Sequence, residues 1–393
     1  MLDIIVIGGG PVGSHTAYQL ARMGHSVTVL EKRRRFGGSV CCTGIVSLEC
    51  VQSFAIDDRL ILRRVNSARL FSPSGNLLHL KRRESVACVI DRAGLDDFMA
   101  DRAKREGAKF ILGVDVQRVE VGDDRVKIRV NYAGQETFLE ARVVVLATGS
   151  YSNLIGQSGQ SSQDFVLGVQ AEVESPGADE IEVYFGREIA PGFFAWLVPT
   201  LPGKALTGLL SRHNAGSYLR KLLSSLQTQG KITSVRVNMS YRRVMLKSGA
   251  RTYGNRLLMV GSTAGQVKPI TGGGIYFGLL AAEIAADTLH KALQQDDLSA
   301  GNLAGYEHEW KNQLGKDITA GTYVRDFFER LSDPQIDNIF RLATICGLQD
   351  SLQDDMLFDW HGKTMVRLMG RGIIARAVKK ITVPFPMEIL GNE

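Results

Sequence analysis

The sequence predicts an α/β protein built around a Rossmann-type dinucleotide-binding domain, and three separate glycine-containing stretches carry that prediction. The first lies between two apolar runs within residues 4–31, the second follows the apolar run at 142–146, and the third opens an apolar helical pattern at 272–274. Each stretch joins a strand pattern to small residues, where a backbone can approach a flat or phosphorylated ligand closely.

The first stretch has the order strand, glycine turn, helix, strand and acid. The apolar run 4–7 leads into GGGPVG at 8–13, a helical pattern follows, and the strand pattern 27–30 ends at Glu31. In this arrangement the glycines allow a tight turn, a close backbone approach to a pyrophosphate and close helix packing, while the acid accepts hydrogen bonds from ribose hydroxyls. It does not separate FAD from NAD. The residues expected to hold the dinucleotide here are Gly8, Gly10, Pro11, Gly13, Glu31 and, from the basic run that follows, Lys32.

The third stretch reads GSTAGQVKPITGGGI at residues 261–275 and ends in a helix start. Bare N–H groups and the partial positive charge of a helix N-terminus favour an electron-rich or anionic group, such as the edge of a reduced flavin.

Arg92, near the start of an earlier helical pattern, is a candidate for a phosphate contact, with a plain surface arginine as the alternative. The other cofactor contacts that we expect are Ala147, Thr148, Gly149, Gly261, Ser262, Gly265, Pro269, Gly272, Gly273, Gly274 and Ile275.

Composition narrows the class of protein. The 393 residues are 44% hydrophobic and 22% charged, and the net charge of +6 is spread out, so no nucleic-acid partner is expected. Five cysteines without zinc or iron–sulfur spacing predict a reducing compartment and no metal site. No targeting segment is expected ahead of the first strand, and no apolar run approaches the ~20 residues of a membrane span. We therefore expect a cytoplasmic monomer.

The order of strand and helix patterns predicts a divided chain. A nucleotide-binding domain is expected from residues 1–50, 84–155 and 245–295, and an inserted substrate domain with an antiparallel sheet from 51–83 and 156–244. Residues 296–393 are expected to form a mostly helical C-terminal region.

Together these features resemble the FAD-dependent para-hydroxybenzoate hydroxylase-like (GR2) superfamily, and within it the geranylgeranyl reductase family with the archaeal digeranylgeranylglycerophospholipid reductases. The family's GDAAGQVNPxTGGGI-like stretch is similar to residues 261–275. Its cysteine–small–glycine motif is matched by CTG at 42–44, and its PxxYxWxFP motif is similar to PGFFAWLVP at 191–199. The resemblance covers nearly all of the first 290 residues.

The chain departs from the family pattern at three positions. Ser262 stands where an aspartate usually binds the ribityl chain, so one charge-assisted hydrogen bond becomes a neutral one and FAD affinity is expected to be lower. Phe194 replaces the motif tyrosine and removes a hydroxyl. Lys268 replaces an asparagine and adds a positive charge that favours anionic reduced flavin.

The resemblance implies an FAD-dependent reductase. Hydride from reduced flavin and a proton would add across an isolated double bond of an isoprenoid lipid or a prenyl diphosphate, with ferredoxin or NADPH as electron donor. Cys42, with Cys41 as second choice, would face the flavin as proton donor or shape the substrate site; a buried inert thiol is the alternative. Trp196 completes the candidate catalytic set, and Cys42 and Gly44 are also candidates for cofactor contact. The candidate substrate residues are Phe193, Phe194, Trp196 and Pro199, with Phe194 and Trp196 on one strand face and Phe193 on the other.

Other functions remain open at this point. A flavin monooxygenase would share the fold and act with NADPH and oxygen, normally on polar aromatic substrates. A third alternative is an electron-transfer protein that resembles the electron-transfer flavoprotein-quinone oxidoreductases. A halogenase is less favoured because its motif needs two tryptophans with one spacing residue, and this strand has only Trp196. The basic and apolar stretch 363–381 predicts peripheral membrane contact, with a basic helix closing the substrate domain as the alternative.

Overall fold

The computed structural model describes residues 2–38, 40–150, 154, 164–247, 251–345 and 358–360. The stretch 363–381, for which membrane contact was predicted, lies outside these residues. The strands are β1 (Leu2–Ile7), β2 (Val27–Glu31), β3 (Ile45–Ser47), β4 (Ile61–Val65), β5 (Ser67–Phe71), β6 (Leu77–Lys81), β7 (Ala87–Ile90), β8 (Lys109–Leu112), β9 (Val114–Val121), β10 (Val126–Tyr132), β11 (Gln135–Leu146), β12 (Asp164–Glu174), β13 (Ile181–Phe185), β14 (Phe194–Pro199), β15 (Lys204–Ser211), β16 (Ser240–Lys247), β17 (Tyr253–Gly254) and β18 (Leu257–Met259).

The helices are α1 (Pro11–Arg22), α2 (Leu48–Ser53), α3 (Arg92–Arg105), α4 (Ala215–Thr228), α5 (Ile275–Gln294), α6 (Ala300–Trp310), α7 (Lys316–Glu329) and α8 (Asp333–Ile345). Single 3-10 turns lie at Asp58–Leu60 and Gly261–Ala264, and a π-helical turn at Lys311–Gly315 joins α6 to α7. Among the residues described, no helix is both long and apolar enough to cross a membrane.

The chain forms two compact units, and each takes three segments of sequence. The first contains Met1–Ser39, Arg92–Asp164 and Met245–Lys316, and the second contains Val40–Asp91, Phe165–Val244 and Asp317–Glu393. The three-part division by function that the sequence suggested stays a prediction.

The first unit is a mostly parallel sheet. Its parallel strands have the order β18, β11, β1, β2 and β8, and β17 pairs antiparallel at the β18 edge. Residues Ile4–Ile7 of β1 are at most 3% exposed, as expected of a continuous apolar run in a parallel sheet. Helix α1 packs on α3 and α5, and α5 packs on α6. This is the expected nucleotide-binding architecture.

The strand β11 is longer than the sequence pattern indicated. The apolar run 142–146 predicts a short strand. In the structure this run is the second part of one strand of 12 residues. Its first half pairs antiparallel with β10, and Ala141 pairs with both Val126 and Leu2, after which the strand runs parallel to β1. Because β11 changes its pairing partner at Ala141, its residues change there from mostly exposed to mostly buried, although the strand itself is not interrupted.

The second unit contains a seven-stranded sheet in the order β16, β12, β15, β14, β13, β5 and β6, and a three-stranded sheet in the order β3, β7 and β4. From β12 to β6 the neighbouring strands of the larger sheet are antiparallel, except for the β13–β5 pair, which is parallel. One face is covered by α4, whose Leu219 and Leu223 pack with Val169 and Leu209. The other face packs against the small sheet and, at β5 and β6, against α7 and α8. The inserted, largely antiparallel sheet that the sequence predicted is therefore present.

Candidate active site

The three predicted glycine stretches come together within the first unit. Gly8, at φ +105°, leaves no room for a side chain because a Cβ there would collide with the carbonyl of Ala147, the first residue of the middle turn. Val12, in the first turn of α1, packs against Gly261 and against Gly278 of α5, where a Cβ would lie 2.5 Å from its Cγ2. Stretches more than 100 residues apart in sequence thus form one surface.

Gly10 and Gly13 have different structural roles. A Cβ on Gly13 would collide with the carbonyl oxygen of Gly8, so Gly13 allows α1 to pack against the turn before it. A Cβ on Gly10 would meet nothing within 4 Å, and its φ of −70° suits any residue. Gly10 precedes Pro11 at the start of α1, where no side chain caps the helix. The open space at Gly10 beside uncapped N–H groups fits a bound pyrophosphate.

Glu31 lies at the centre of a hydrogen-bonded network that includes Arg33. Its Oε2 accepts from the Gly9 N–H at 2.8 Å, and its Oε1 accepts from the backbone N–H of Arg33 at 2.8 Å. The Arg33 guanidinium also donates to Asp96, which is 1% exposed, at 2.8 Å. Arg33 Nε also donates to Oε1 at 3.0 Å, and a terminal nitrogen of Arg33 donates to Oε2 at 3.4 Å. Glu31 is therefore fixed beside the glycine turn, with the acceptor positions of its carboxylate taken by Gly9 and Arg33. Lys32, by contrast, points to the surface and pairs with Asp115 at 3.1 Å.

Arg92 is mostly buried, unlike the plain surface arginine that the sequence left as the alternative. Its side chain is only 10% exposed, and one terminal nitrogen donates to Asp96 Oδ1 at 2.7 Å. Its Nε is buried and, among the described residues, has no hydrogen-bond partner. A buried guanidinium N–H without an acceptor is costly, so Arg92 fits a site for an anionic cofactor group.

The third stretch presents a helix N-terminus. Helix α5 begins at Ile275, and its N-cap residue Gly274 provides no side-chain cap. A Cβ on Gly274 would lie 3.1 Å from Ser262 Oγ, so the Ser262 hydroxyl lies at the start of this helix. A Cβ on Gly273 would lie 2.8 Å from Cε of Lys268, whose residue is 6% exposed. The predicted serine, lysine and glycines therefore share one place in the fold, which suits an electron-rich ligand.

Sequence reasoning missed the residues that hold this loop in place. Gln266 accepts from the Gly261 N–H through Oε1 at 2.6 Å and donates through Nε2 to the hydroxyl of Tyr306 at 2.8 Å. The Tyr306 hydroxyl in turn donates to the Met259 carbonyl at 2.8 Å, and both side chains are fully buried. Gln266 was visible inside the matched motif, but its partner on α6 lies 40 residues further along the chain.

The predicted cysteines lie in the second unit, in a loop before β3. The Cys41 thiol donates to the Gly168 carbonyl at a 3.7 Å Sγ–O distance, and Gln170 Nε2 donates to the Cys42 carbonyl at 3.3 Å. The loop therefore lies along β12. Gly44 follows at φ +70°, where a Cβ would collide with the carbonyl of Ile90. Burial raises the pKa of Cys41 to about 11, so this thiol stays protonated at neutral pH.

The aromatic strand β14 has the alternation that the sequence indicated. The rings of Phe194 and Trp196 lie 6.0 Å apart, and Trp196 packs with Val183 and Val198 towards the small sheet. Phe193 is 3% exposed and lies before the strand, with the Arg212 guanidinium 5.6 Å from its ring centre. Pro199 ends the strand on the side of Leu197, opposite Trp196. Of the four candidate substrate residues, the structure thus brings together only Phe194 and Trp196.

Comparisons with known proteins agree with this architecture. Residues 3–50 match the family described as FAD dependent oxidoreductase, and residues 51–327 match the family described as tryptophan halogenase. A digeranylgeranylglycerophospholipid reductase from Methanosarcina mazei is 30% identical over 354 residues, which cover 86% of this chain and 87% of that protein.

Two solved structures share the fold. A geranylgeranyl bacteriochlorophyll reductase-like protein from Thermoplasma acidophilum superimposes with a TM-score of 0.84 at 23% identity, covering 96% of this chain and 98% of that one. A p-nitrophenol 4-monooxygenase from Pseudomonas putida superimposes with a TM-score of 0.70 at 16% identity, covering 95% and 98%. At these identities the likeness concerns the fold alone.

The fold, the glycine turn and the family match together define an FAD-dependent oxidoreductase, and FAD is its cofactor. Gly10, Arg92 and the start of α5 are the residues whose geometry fits that cofactor. Within this class, the chain belongs to the geranylgeranyl reductase family of the digeranylgeranylglycerophospholipid reductases and, over residues 51–327, to the family described as tryptophan halogenase.

Proposed function

We propose that this protein saturates carbon–carbon double bonds in the isoprenoid chain of a lipid. The observation that carries the proposal is the position of the Cys41–Cys42 loop on the same sheet face as Trp196. Gln170 on β12 holds the Cys42 carbonyl, and Trp196 lies two strands away on β14. The membership of a family that includes digeranylgeranylglycerophospholipid reductases supports an isoprenoid lipid as substrate.

The chain's own residues would bind and orient the hydrocarbon. Phe194 and Trp196 offer adjacent aromatic surfaces, which bind an apolar chain by excluding water from it. Bound reduced FAD supplies hydride chemistry, and saturation of a double bond also consumes one proton. Cys42 is the proposed source of that proton or a shaper of the site, and Cys41, whose thiol is protonated and bonded to Gly168, is the second candidate.

Trp196→Ala tests the aromatic surface. We expect a loss of prenyl turnover of at least tenfold, because removing the indole deletes much of the apolar contact, while the FAD content and oxidised flavin spectrum stay near those of the wild type. Loss of FAD instead of activity would place Trp196 in a cofactor or packing role. Phe193→Leu is the matched control, because Phe193 packs against Arg212 and not beside Trp196; its turnover should stay within about twofold of wild type.

Cysteine exchange separates the two thiols. Cys42→Ser is expected to lower turnover more than Cys41→Ser does, because the Cys41 thiol already donates its hydrogen bond to the Gly168 carbonyl.

The electron donor is tested with the wild-type protein by supplying reduced ferredoxin or NADPH under argon. An oxygen-dependent, hydroxylated product would support a monooxygenase instead.

A further inference from the structure

Three residues form a row across the larger sheet of the second unit. Gln170 on β12 is directly opposite Gly208 on β15, and Gly208 is directly opposite Trp196 on β14. Directly opposed residues share a face of the sheet, and adjacent strands lie about 4.8 Å apart. The neighbours Val169, Ala171, Ala195 and Leu197 pack on the α4 side, so Gln170 and Trp196 project from the other face.

Gly208 gives the indole of Trp196 room to lie flat across the row. A Cβ at position 208 would lie 2.6 Å from Cζ2 and 2.8 Å from Cε2 of the indole. The indole therefore reaches over β15, from β14 towards the strand that carries Gln170. Because Cε2 is bonded to Nε1, the N–H edge of the ring lies on that side.

The amide of Gln170 has a fixed orientation. Its Nε2 donates to the Cys42 carbonyl at 3.3 Å, and a carbonyl can only accept, so Oε1 must be the other end of the amide. Gln170 is 3% exposed, and its Oε1 is buried with no partner among the residues described. Nε1 of Trp196 is likewise a buried atom with no hydrogen-bond partner among the residues described. One buried acceptor and one buried donor thus remain unsatisfied on the two residues that flank Gly208. Natural structures rarely leave buried polar groups without a hydrogen bond.

We propose that Gln170 and Trp196 form a binding site for a single O–H group. Such a group accepts a hydrogen bond from the indole N–H and donates one to the amide oxygen. A carbonyl group cannot donate a hydrogen bond, and an ammonium group cannot accept one. A hydroxyl group or a water molecule can do both, so one oxygen satisfies the indole N–H and the amide oxygen. The site adds to the proposed function, because it gives the otherwise apolar surface that would bind the substrate one polar position. Through its second amide contact, Gln170 is a positioning residue that links this oxygen to the Cys42 loop.

Indole N–H resonances in the oxidised, FAD-loaded protein test the site without turnover. The chain has three tryptophans, and the Trp196 signal is assigned by its disappearance in Trp196→Phe. In Gln170→Met we expect the Trp196 proton signal to move upfield, because the O–H group loses one of its two anchors. The Trp310 signal is the internal control, because its Nε1 donates to Thr252 at 3.0 Å, far along the chain in the first unit. A Trp196 signal that is the same in wild type and Gln170→Met would overturn the proposal.

Unfolding in urea gives an independent check. If Gln170 and Trp196 hold one oxygen together, Gln170→Met and Trp196→Phe should be non-additive, since the second substitution removes an interaction that is already lost. Thr207→Val is the matched control. Thr207 lies next to Gly208 on the opposite face and donates to the Trp196 carbonyl at 2.9 Å, so its effect should add to that of Gln170→Met. Full additivity of the test pair would contradict the shared oxygen.

Two ligands distinguish the sources of the oxygen. If geranylgeraniol shifts the Trp196 signal and the matching hydrocarbon without a hydroxyl does not, the ligand's own hydroxyl occupies the site. If neither ligand shifts the signal, the occupant is an ordered water. Both results support the O–H site, and neither requires that the protein reduce prenyl chains. A protein with an intact Gln170–Trp196 signal but no reductase activity would refute the proposed function and leave this site standing.

Discussion

At the scale of single residues, glycine substitutions separate cofactor binding from folding. Gly10→Ala should leave the stability of the FAD-free protein within about 0.5 kcal/mol of wild type, because its Cβ would enter open space. FAD binding should weaken at least tenfold, because that space is needed by the pyrophosphate. Thermal unfolding and FAD titration measure the two effects.

The control is Gly13→Ala, whose Cβ would collide with the Gly8 carbonyl. It should lower the stability of the protein as well as FAD binding. Equal FAD affinity in Gly10→Ala and wild type would show that the pyrophosphate does not lie at this turn.

A second prediction at this scale concerns Ser262, whose hydroxyl lies at the start of α5. Ser262→Asp should tighten FAD binding about fivefold, because a charge-assisted hydrogen bond replaces a neutral one. A carboxylate is also favoured at a helix N-terminus. Ser262→Ala should weaken binding, and fluorescence titration with FAD measures both variants. Unchanged or weaker binding of the aspartate variant would mean that residue 262 does not contact the ribityl chain.

At the scale of elements, the burial of His15 between α1 and its neighbours should make the free energy of unfolding fall as the pH falls. Burial lowers the pKa of His15 on α1, an effect that Glu283 on α5, 3.4 Å away, opposes. Burial, followed by the neighbouring His290, also lowers the pKa of His25. A histidine whose folded pKa is below its unfolded value of about 6.5 binds protons more readily when unfolded. Its contribution to stability is complete above that pH and is lost as the pH falls below it.

Urea unfolding at pH 7.5, 6.5 and 5.5 measures this dependence. The free energy of unfolding should decrease across the series, and His15→Gln should flatten the decrease. His308→Gln, at an exposed position on α6, should leave the profile of the wild type unchanged. An identical slope in wild type and His15→Gln would exclude His15 as its source.

The elements themselves were largely predictable because their periodicity is local. The β1 run, the α3 helix and the GGG helix start were all found where apolar spacing placed them. The single strand β11 was not, because its change of partner at Ala141 changes its polarity without a turn. The Gln266–Tyr306 and Gln170–Trp196 relations were invisible in the sequence. They depend on which strands and helices become neighbours, and no local pattern encodes this.

At the scale of the whole molecule, the chain passes repeatedly between its two units, and composition marks only some of the boundaries. The boundary before Val40 follows Gly37 and Gly38, as is usual for a linker. The boundary between Val244 and Met245, by contrast, falls inside strand β16. The motif residues could therefore be assigned to a function more readily than to a compact unit.

The reductase proposal is tested most directly by a single turnover under argon. The FAD-loaded protein is reduced stoichiometrically and mixed with a lipid that carries geranylgeranyl chains, and the products are analysed by mass spectrometry. We predict a lipid heavier by two hydrogens for each double bond reduced, together with return of the oxidised flavin spectrum and no requirement for oxygen. An unchanged lipid with flavin that stays reduced, or a product formed only with oxygen and heavier by one oxygen atom, would contradict the proposal.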